Sequence, residues 1–361
     1  MLLLSNEDVE RVLRMDQCIV MVEEGLRDLG TGQALDTGRS DVYTANSQSG
    51  LFHRLAVLRG ANRRSDVMSV RIMSDMASWT EGRTEDKYCV KPGLFCGLIM
   101  LFSTQNGEPL AIMHDGYLQH LSVGAGVGVG AKYLARKDST TLGVIGSGGQ
   151  ARSMTEAVCA VREIRNIKVY SPTAGHREDF AHWVKEKFSA ACETLDHPRR
   201  AFDSDVVITA TNSVEQPVFD KDWVAPGTHL TYANYDELDG GIFAKADLAC
   251  SMLPNNPEST PVRGPLSLAH GFTSWAVATE KELKIIPRRP KHPVPEAKAA
   301  SIIDIILERR KGRTSDKEIT VCGAGGGQRI TIVGGMVYRL AKAAGLGREI
   351  PTEWFLQDIR D

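Results

Sequence analysis

The sequence predicts an α/β protein, with a parallel sheet in its second half and a strand-rich region ahead of it. Three observations carry this reading. Residues 140–154, "TTLGVIGSGGQARSM", read as a strand, a glycine turn and the first turn of a helix. From 140 to about 255, apolar strand-like runs alternate with helical stretches, a pattern that calls for parallel strands joined by crossover helices. From 31 to about 123 the runs are shorter, alternate in polarity and are separated by turn residues. With 361 residues, two domains are the default expectation.

The opening, "MLLLSNEDVERVL", reads as a short strand followed by a helix with Ser5 or Asn6 as its cap and Glu7, Asp8 and Glu10 in its first turns. Its four apolar residues before Ser5 are too few for a signal-peptide core. "LFHRLAVLRG", "DVMSVRIMSD" and "GLIMLFST" read as strands, "QNGEP" (105–109) as a hairpin turn, and the polar stretch 78–93 as a loop. Residues 116–136 read as one long helix, in which Gly124, Gly126, Gly128 and Gly130 lower intrinsic propensity and imply close packing. Beyond the glycine turn come a strand in "IRNIKVYSPT", a helix around 176–192, and strands in "DVVITATNS", "THLTYANYD" and "ADLACSM". A proline-rich, irregular stretch covers 256–300, followed by a helix around 296–310, the strand of "EITVCGAGGGQ" and a last helix closed by Gly345, Gly347 and Pro351.

Composition narrows the function classes. A chain that is 42% hydrophobic and 24% charged, with net charge −2, is an ordinary soluble globular protein with no bias toward nucleic acid or an anionic membrane. Its seven cysteines show no CxxC pair and no Cys/His cluster at zinc-like spacing, which fits free thiols in a reducing compartment and no metal site. No apolar run reaches the roughly 18 residues that a membrane span needs, and the chain reads as cytoplasmic.

Gly146-Ser147-Gly148-Gly149-Gln150-Ala151 fits the GxGxx(G/A) dinucleotide fingerprint in the required strand–turn–helix context. Gly146 permits the tight turn, Gly148 lets backbone approach a pyrophosphate, and Ala151 keeps helix and strand close. The helix N-terminus offers N–H donors and partial positive charge. At the end of the second strand stand Ser171, Thr173 and Arg177, with His176 beside them and no acid until Glu178. Hydroxyls and a cation suit a ribose 2′-phosphate, so NADP(H) is the expected cofactor, with NAD(H) possible. Thr209, Ala210, Thr211 and Asn212 follow the next strand, where such folds line the cofactor's far side.

Together, "NGEPLAIMHDGYLQHL", "AKYLARKDS", "GSGGQA", "DVVITATNS" and "APGTHLTYANYD" resemble the ornithine cyclodeaminase/μ-crystallin family over nearly the whole chain. That resemblance implies a Rossmann-type nucleotide domain (126–315) inserted into an α+β substrate-binding domain made of 1–125 and 316–361, which forms a homodimer. It implies hydride transfer between a nicotinamide and a carbon bearing an amine or imine, on a small-molecule substrate. Arg39 and Arg71 match the family's substrate-side cations, Arg71 standing where the family has lysine. Arginine can clamp a carboxylate but does not shuttle protons near neutral pH, which leaves Lys87 or Lys91 as alternative proton carriers. Asp236 matches the family's acid, although Asn234 replaces the glycine two residues before it. The largest departure is Ser122, where the family has a carboxylate-gripping arginine; His120 is the nearby polar alternative. Either the substrate lacks that carboxylate, or Arg39 and Arg71 hold it differently, or catalysis is impaired.

The expected activity is an NADP(H)-dependent imine or ketimine reductase or amino-acid dehydrogenase, with Asp236 as acid/base. A cyclodeaminase lyase that retains NAD, and a non-catalytic cofactor or small-ligand binder, are the alternatives.

Overall fold

A computed structural model describes residues 1–47, 50–80, 84–212, 219–234, 237–252, 266–270, 273–286 and 294–359. The chain begins with β1 (Leu2–Leu4), then α1 (Asn6–Val12) and α2 (Met15–Gly30). Ser5 caps α1, and a reciprocal bond from its own N–H to Asp8 completes a capping box. Residues 1–30 read in sequence as a strand plus one amphipathic helix, but that helix is two, with Leu13 in extended conformation between them.

The first sheet is built from β2 (Ala34–Ala45), β3 (Phe52–Asn62), β4 (Val67–Thr80), β5 (Thr84–Tyr88), β6 (Cys96–Ser103) and β7 (Pro109–His114). The strands β14 (Leu266–His270), β15 (Thr273–Val277) and β18 (Arg348–Glu349) join it from later in the chain. Its order is β14-β15-β2-β3-β4-β6-β7-β1-β18, with β5 paired to β4. Half of the polar stretch 78–93, expected as a loop, is thus strand: 78–80 end β4 and 84–88 form β5. β5 is a strand by virtue of its ladder with β4, since "TEDKY" has no apolar periodicity to announce it.

The long helix is α3 (Gly116–Leu134), buried on almost every side. Its Leu118, Leu121, Ala125 and Val129 complete the core shared with α1, α2 and the first sheet. Its Val123, Val127 and Ala131 complete a second core, under the parallel sheet. The glycines are packing devices: a Cβ on Gly124 would lie 2.5 Å from the Ser153 carbonyl oxygen, and one on Gly126 would lie 2.4 Å from that of Ala324.

The second sheet contains β8 (Thr141–Ile145), β9 (Asn166–Tyr170), β10 (Ala191–Leu195), β11 (Val206–Thr209), β12 (His229–Tyr232), β13 (Leu248–Ser251), β16 (Ala299–Ser301) and β17 (Thr320–Gly323). The order β10-β9-β8-β11-β12-β17-β13-β16 is parallel throughout, a Rossmann-type sheet. Its continuous apolar runs are buried on both faces, as parallel strands require. The crossovers include α4 (Gly149–Val161), α5 (Ala174–Lys187) and α6 (Gly240–Lys245). Chain direction across the sheet reverses between β8 and β11, and the crevice beyond their C-terminal ends is where such sheets take ligands.

Other expectations shift locally. The helix expected around 176–192 stops at Lys187, and β10 follows it. Within the irregular 256–300 stretch lie β14, β15 and α7 (Glu280–Ile285); the helix expected at 296–310 is the short α8 (Ile302–Ile306). Strand pairing does not follow the expected divisions: 125/126 falls inside α3, and β17 sits in the parallel sheet between β12 and β13. The chain ends with α9 (Gln328–Ala343) before β18. Among the described residues no helix is long and apolar enough to cross a membrane.

Candidate active site

The glycine turn sits at the sheet's reversal point. Gly146 N–H donates to the Tyr170 carbonyl at 2.8 Å, and Ala210 N–H donates to that of Ile145 at 2.8 Å, tying the turn to the ends of β9 and β11. Gly146 has φ +112°, and a Cβ there would lie 2.1 Å from the Ala210 carbonyl oxygen, so only glycine fits. Gly148 opens α4 with no side-chain cap, and a Cβ there would meet no protein atom within 4 Å. An uncapped helix N-terminus over open space is the cradle that a pyrophosphate needs. Ala151 is fully buried against the sheet, and Gln150 Nε2 donates to Gln119 Oε1 at 2.9 Å. Ser147 is partly buried, and Gly149 packs on the His120 ring.

At the end of β9, Ser171 is buried and Thr173 is the exposed N-cap residue of α5. Arg177 turns back on this loop, donating from Nη1 to the Ser171 carbonyl at 2.5 Å. That holds the cation at the strand end.

Beyond β11 and β12 the structure contains a carboxylate that sequence reasoning missed. Asp236 lies outside the described residues, but its neighbour Glu237 is 1% exposed and ties both loops together. Its carboxylate accepts from Thr209 Oγ1 at 2.8 Å and from the Thr211 backbone N–H at 2.7 Å, and from Asn234 at 3.4 Å. Burial raises the Glu237 carboxyl above the usual carboxylate range, against the pull of these donors. Ala210 is half-buried and Asn212 exposed.

Across the crevice, the register of the first sheet places Arg39, Leu58 and Arg71 in one row on one face. Two strand spacings separate the arginines by about 10 Å. Both are already paired. Arg39 forms a fork with buried Asp41, Nε and Nη2 donating at 2.6 and 2.5 Å. Arg71 donates from Nε and Nη2 to Asp115 at 2.6–2.9 Å, and that pair is buried. Arg54 and Asp75 make a third pair on the same face, fully buried, at 2.5 Å. Lys87 lies on β5 and Lys91 is exposed in the turn after it.

The start of α3 bridges the two sides. Asp115 precedes the helix, and His120 lies between it and Gly149. Burial lowers the His120 pKa below its ordinary value, Arg71 acting in the same direction and Asp115 against it. Ser122 is fully buried and donates its hydroxyl to the Gln119 carbonyl at 3.2 Å. The structure thus gathers the glycine turn, His120, Asp115 and Arg71 into one continuous region, with Lys91 apart from it on an exposed turn.

A Rossmann-type sheet, with its open glycine turn facing a charged, mostly antiparallel sheet, defines a dinucleotide-fold protein with an attached second domain. The chain belongs to the ornithine cyclodeaminase/mu-crystallin family, whose model matches residues 1–328. It is similar to a Delta(1)-pyrroline-2-carboxylate reductase of Bacillus cereus, at 26% identity over 97% of this chain and 99% of the relative. Among solved structures, the Thermococcus litoralis Delta(1)-pyrroline-2-carboxylate reductase in complex with NADH and L-proline has a TM-score of 0.76 at 24% identity. That match covers 97% of this chain and 100% of the other. An archaeal alanine dehydrogenase dimer with bound NAD has a TM-score of 0.76 at 25% identity, over 97% and 99% of the two chains.

Proposed function

We propose that this protein is an NAD(P)(H)-dependent oxidoreductase acting on a carbon–nitrogen bond, as a cyclic-imine reductase or amino-acid dehydrogenase. The observation that carries this reading is the placement of Arg71, His120 and Asp115 beside an open dinucleotide turn. A nicotinamide cofactor bound there supplies or accepts the hydride. Gly146, Ser147, Gly148, Gly149, Gln150 and Ala151 hold its pyrophosphate, and Thr209, Ala210, Thr211 and Asn212 border its far side. Arg39 and Arg71 orient the anionic end of the substrate, and Asp236 exchanges a proton at the substrate nitrogen. Glu237, bonded to both neighbouring loops, positions the segment that carries Asp236. The named relatives support this reading: one is a pyrroline-2-carboxylate reductase solved with NADH and L-proline, another an alanine dehydrogenase with NAD.

The cofactor preference we infer is NADP(H), from Ser171, Thr173 and the anchored cation of Arg177. We assign the first sheet, with α1, α2 and α9 packed on it, to substrate binding and dimerisation, and the parallel sheet to the nucleotide. The outer face of the first sheet exposes Val42 (49%), Leu55 (40%), Met68 (50%) and Leu98 (40%), an apolar surface suited to a second copy.

The test is steady-state kinetics with NADPH and with NADH, on Delta(1)-pyrroline-2-carboxylate and on pyruvate plus ammonia. Net cofactor oxidation is expected, and Arg177→Ala should lower kcat/KM for NADPH by roughly tenfold while sparing NADH. Ammonia release from ornithine without net cofactor change would establish the cyclodeaminase instead. Tight cofactor binding with no turnover would leave a ligand-binding protein.

A further inference from the structure

Position 122 brings no charge to the substrate side, yet a third arginine, beside Arg39 and Arg71, reaches that side from α9. Arg329 lies in the first turn of α9, directly after the glycine stretch 323–327 that leaves β17. That stretch docks on the arginine row: a Cβ on Gly327 would lie 3.2 Å from Leu58 Cδ2, and Leu58 sits between Arg39 and Arg71. Arg329 is 8% exposed. Among the described residues its one hydrogen bond runs from Nη1 to the Gly326 carbonyl, and its buried Nε has no partner.

The charged and titratable groups that face it are Arg71, Asp115, Asp36 and Cys18. Asp115 is already occupied by the Arg71 fork, and Asp36 accepts from the Gly38 and Gln328 backbone N–H groups. Burial pulls the Arg329 guanidinium down to about 10, and Arg71 pushes the same way. An arginine taken out of water with most of its five donors unused contributes poorly to folding. The arrangement makes sense as a site kept ready for an anion.

We propose that Arg329 is the carboxylate-binding arginine of this protein, acting with Arg71 on the substrate carboxylate and replacing from α9 the cation absent at Ser122. The inference rests on the imine-reductase or amino-acid-dehydrogenase reading above. A planar carboxylate can take one guanidinium edge from each arginine, because Arg71 uses only Nε and Nη2 on Asp115. The residue thereby sets specificity for substrates with a carboxylate next to the reacting carbon.

Full-length protein and its Arg329→Met and Arg329→Lys variants are compared on Delta(1)-pyrroline-2-carboxylate. Arg329→Met should raise KM by at least about tenfold, far more than it lowers kcat, with a Tm equal to or above wild type. Arg329→Lys keeps the charge but loses the fork, so its KM should fall between the two. A lowered Tm with unchanged KM makes Arg329 a structural residue and overturns the proposal. Should Arg329→Met not fold, an unchanged KM in Arg329→Lys overturns it as well. Absence of turnover by wild type defeats the functional reading, and calorimetry with pyrrole-2-carboxylate and its carboxamide then decides Arg329 separately. Carboxylate preference in wild type that vanishes in the variant supports the assignment; equal preference in both, or none in wild type, overturns it.

Discussion

Two glycine-rich loops leave the parallel sheet and open helices, and they do opposite things. At 146–151, Gly146 has a positive φ, Gly148 faces open space, and the helix start has no side-chain cap. At 323–327 the first and last glycines are filled in by protein, although a Cβ on Gly325 between them would meet no atom within 4 Å. A Cβ on Gly323 would lie 2.7 Å from the Tyr232 ring, and one on Gly327 would lie 2.9 Å from Asp36. The Asp36 carboxylate also accepts from the Gln328 N–H at 2.9 Å. The second helix start is therefore satisfied by the protein's own carboxylate, and only the first is left for an outside anion. Glycine content is the same signal in both loops; the capping of the helix tells them apart.

The comparison can be broken most severely at Gly146. Gly146→Val should destabilise the fold by at least about 3 kcal/mol in denaturant titration, since the side chain meets the Ala210 carbonyl at an unfavourable φ. Gly148→Ala should cost about 1 kcal/mol, yet weaken dinucleotide binding roughly tenfold by calorimetry. Equal stability losses at the two glycines would contradict the division between strained turn and open cradle.

Next in size is Glu237, which joins the loops that flank the first site. Glu237→Ala leaves the Thr211 N–H and Thr209 hydroxyl unpaired, at a cost of about 2–3 kcal/mol. The pH dependence has a definite sign. A carboxyl raised by burial binds its proton more tightly in the folded state. Its stabilising contribution is complete below the unfolded carboxyl pKa and is lost as pH rises through the raised folded value. The Tm of Glu237→Gln relative to wild type should therefore improve as pH is raised from about 4 to 8. A constant difference would show that the folded carboxyl is not raised.

The smallest effect belongs to the second loop. Asp36→Ala removes the α9 cap and should cost about 1 kcal/mol, with dinucleotide affinity within roughly twofold of wild type. A large fall in cofactor affinity would mean that the second loop also serves the nucleotide.

The readable parts of this molecule are those whose signal is local. "TLGVI" and "DVVIT" announce buried parallel strands by continuous apolar character, and Gly146 announces a turn by its position between a strand and a helix. β5 carries no such pattern, because "TEDKY" is strand only through its pairing with β4. Glu237 reads in the sequence as one more acid beside Asp236, and its burial depends on two loops converging, those after β11 and β12. Arg39 is the intermediate case. Its partner Asp41 is two residues on and so shares its strand face, a spacing that could have revealed the pair from sequence alone.

The glycine-lined helix α3 has an implication for how such proteins can be remade. Its opposite faces complete two different cores, and its backbone touches the Ser153 and Ala324 carbonyls where no side chain could intervene. A hybrid joined at 125/126 would break one helix and mismatch both cores at once. Interchangeable parts must be sought outside that helix, in the loops at the C-terminal ends of the parallel strands. Variety in substrate can accumulate there while the body of the molecule is inherited whole.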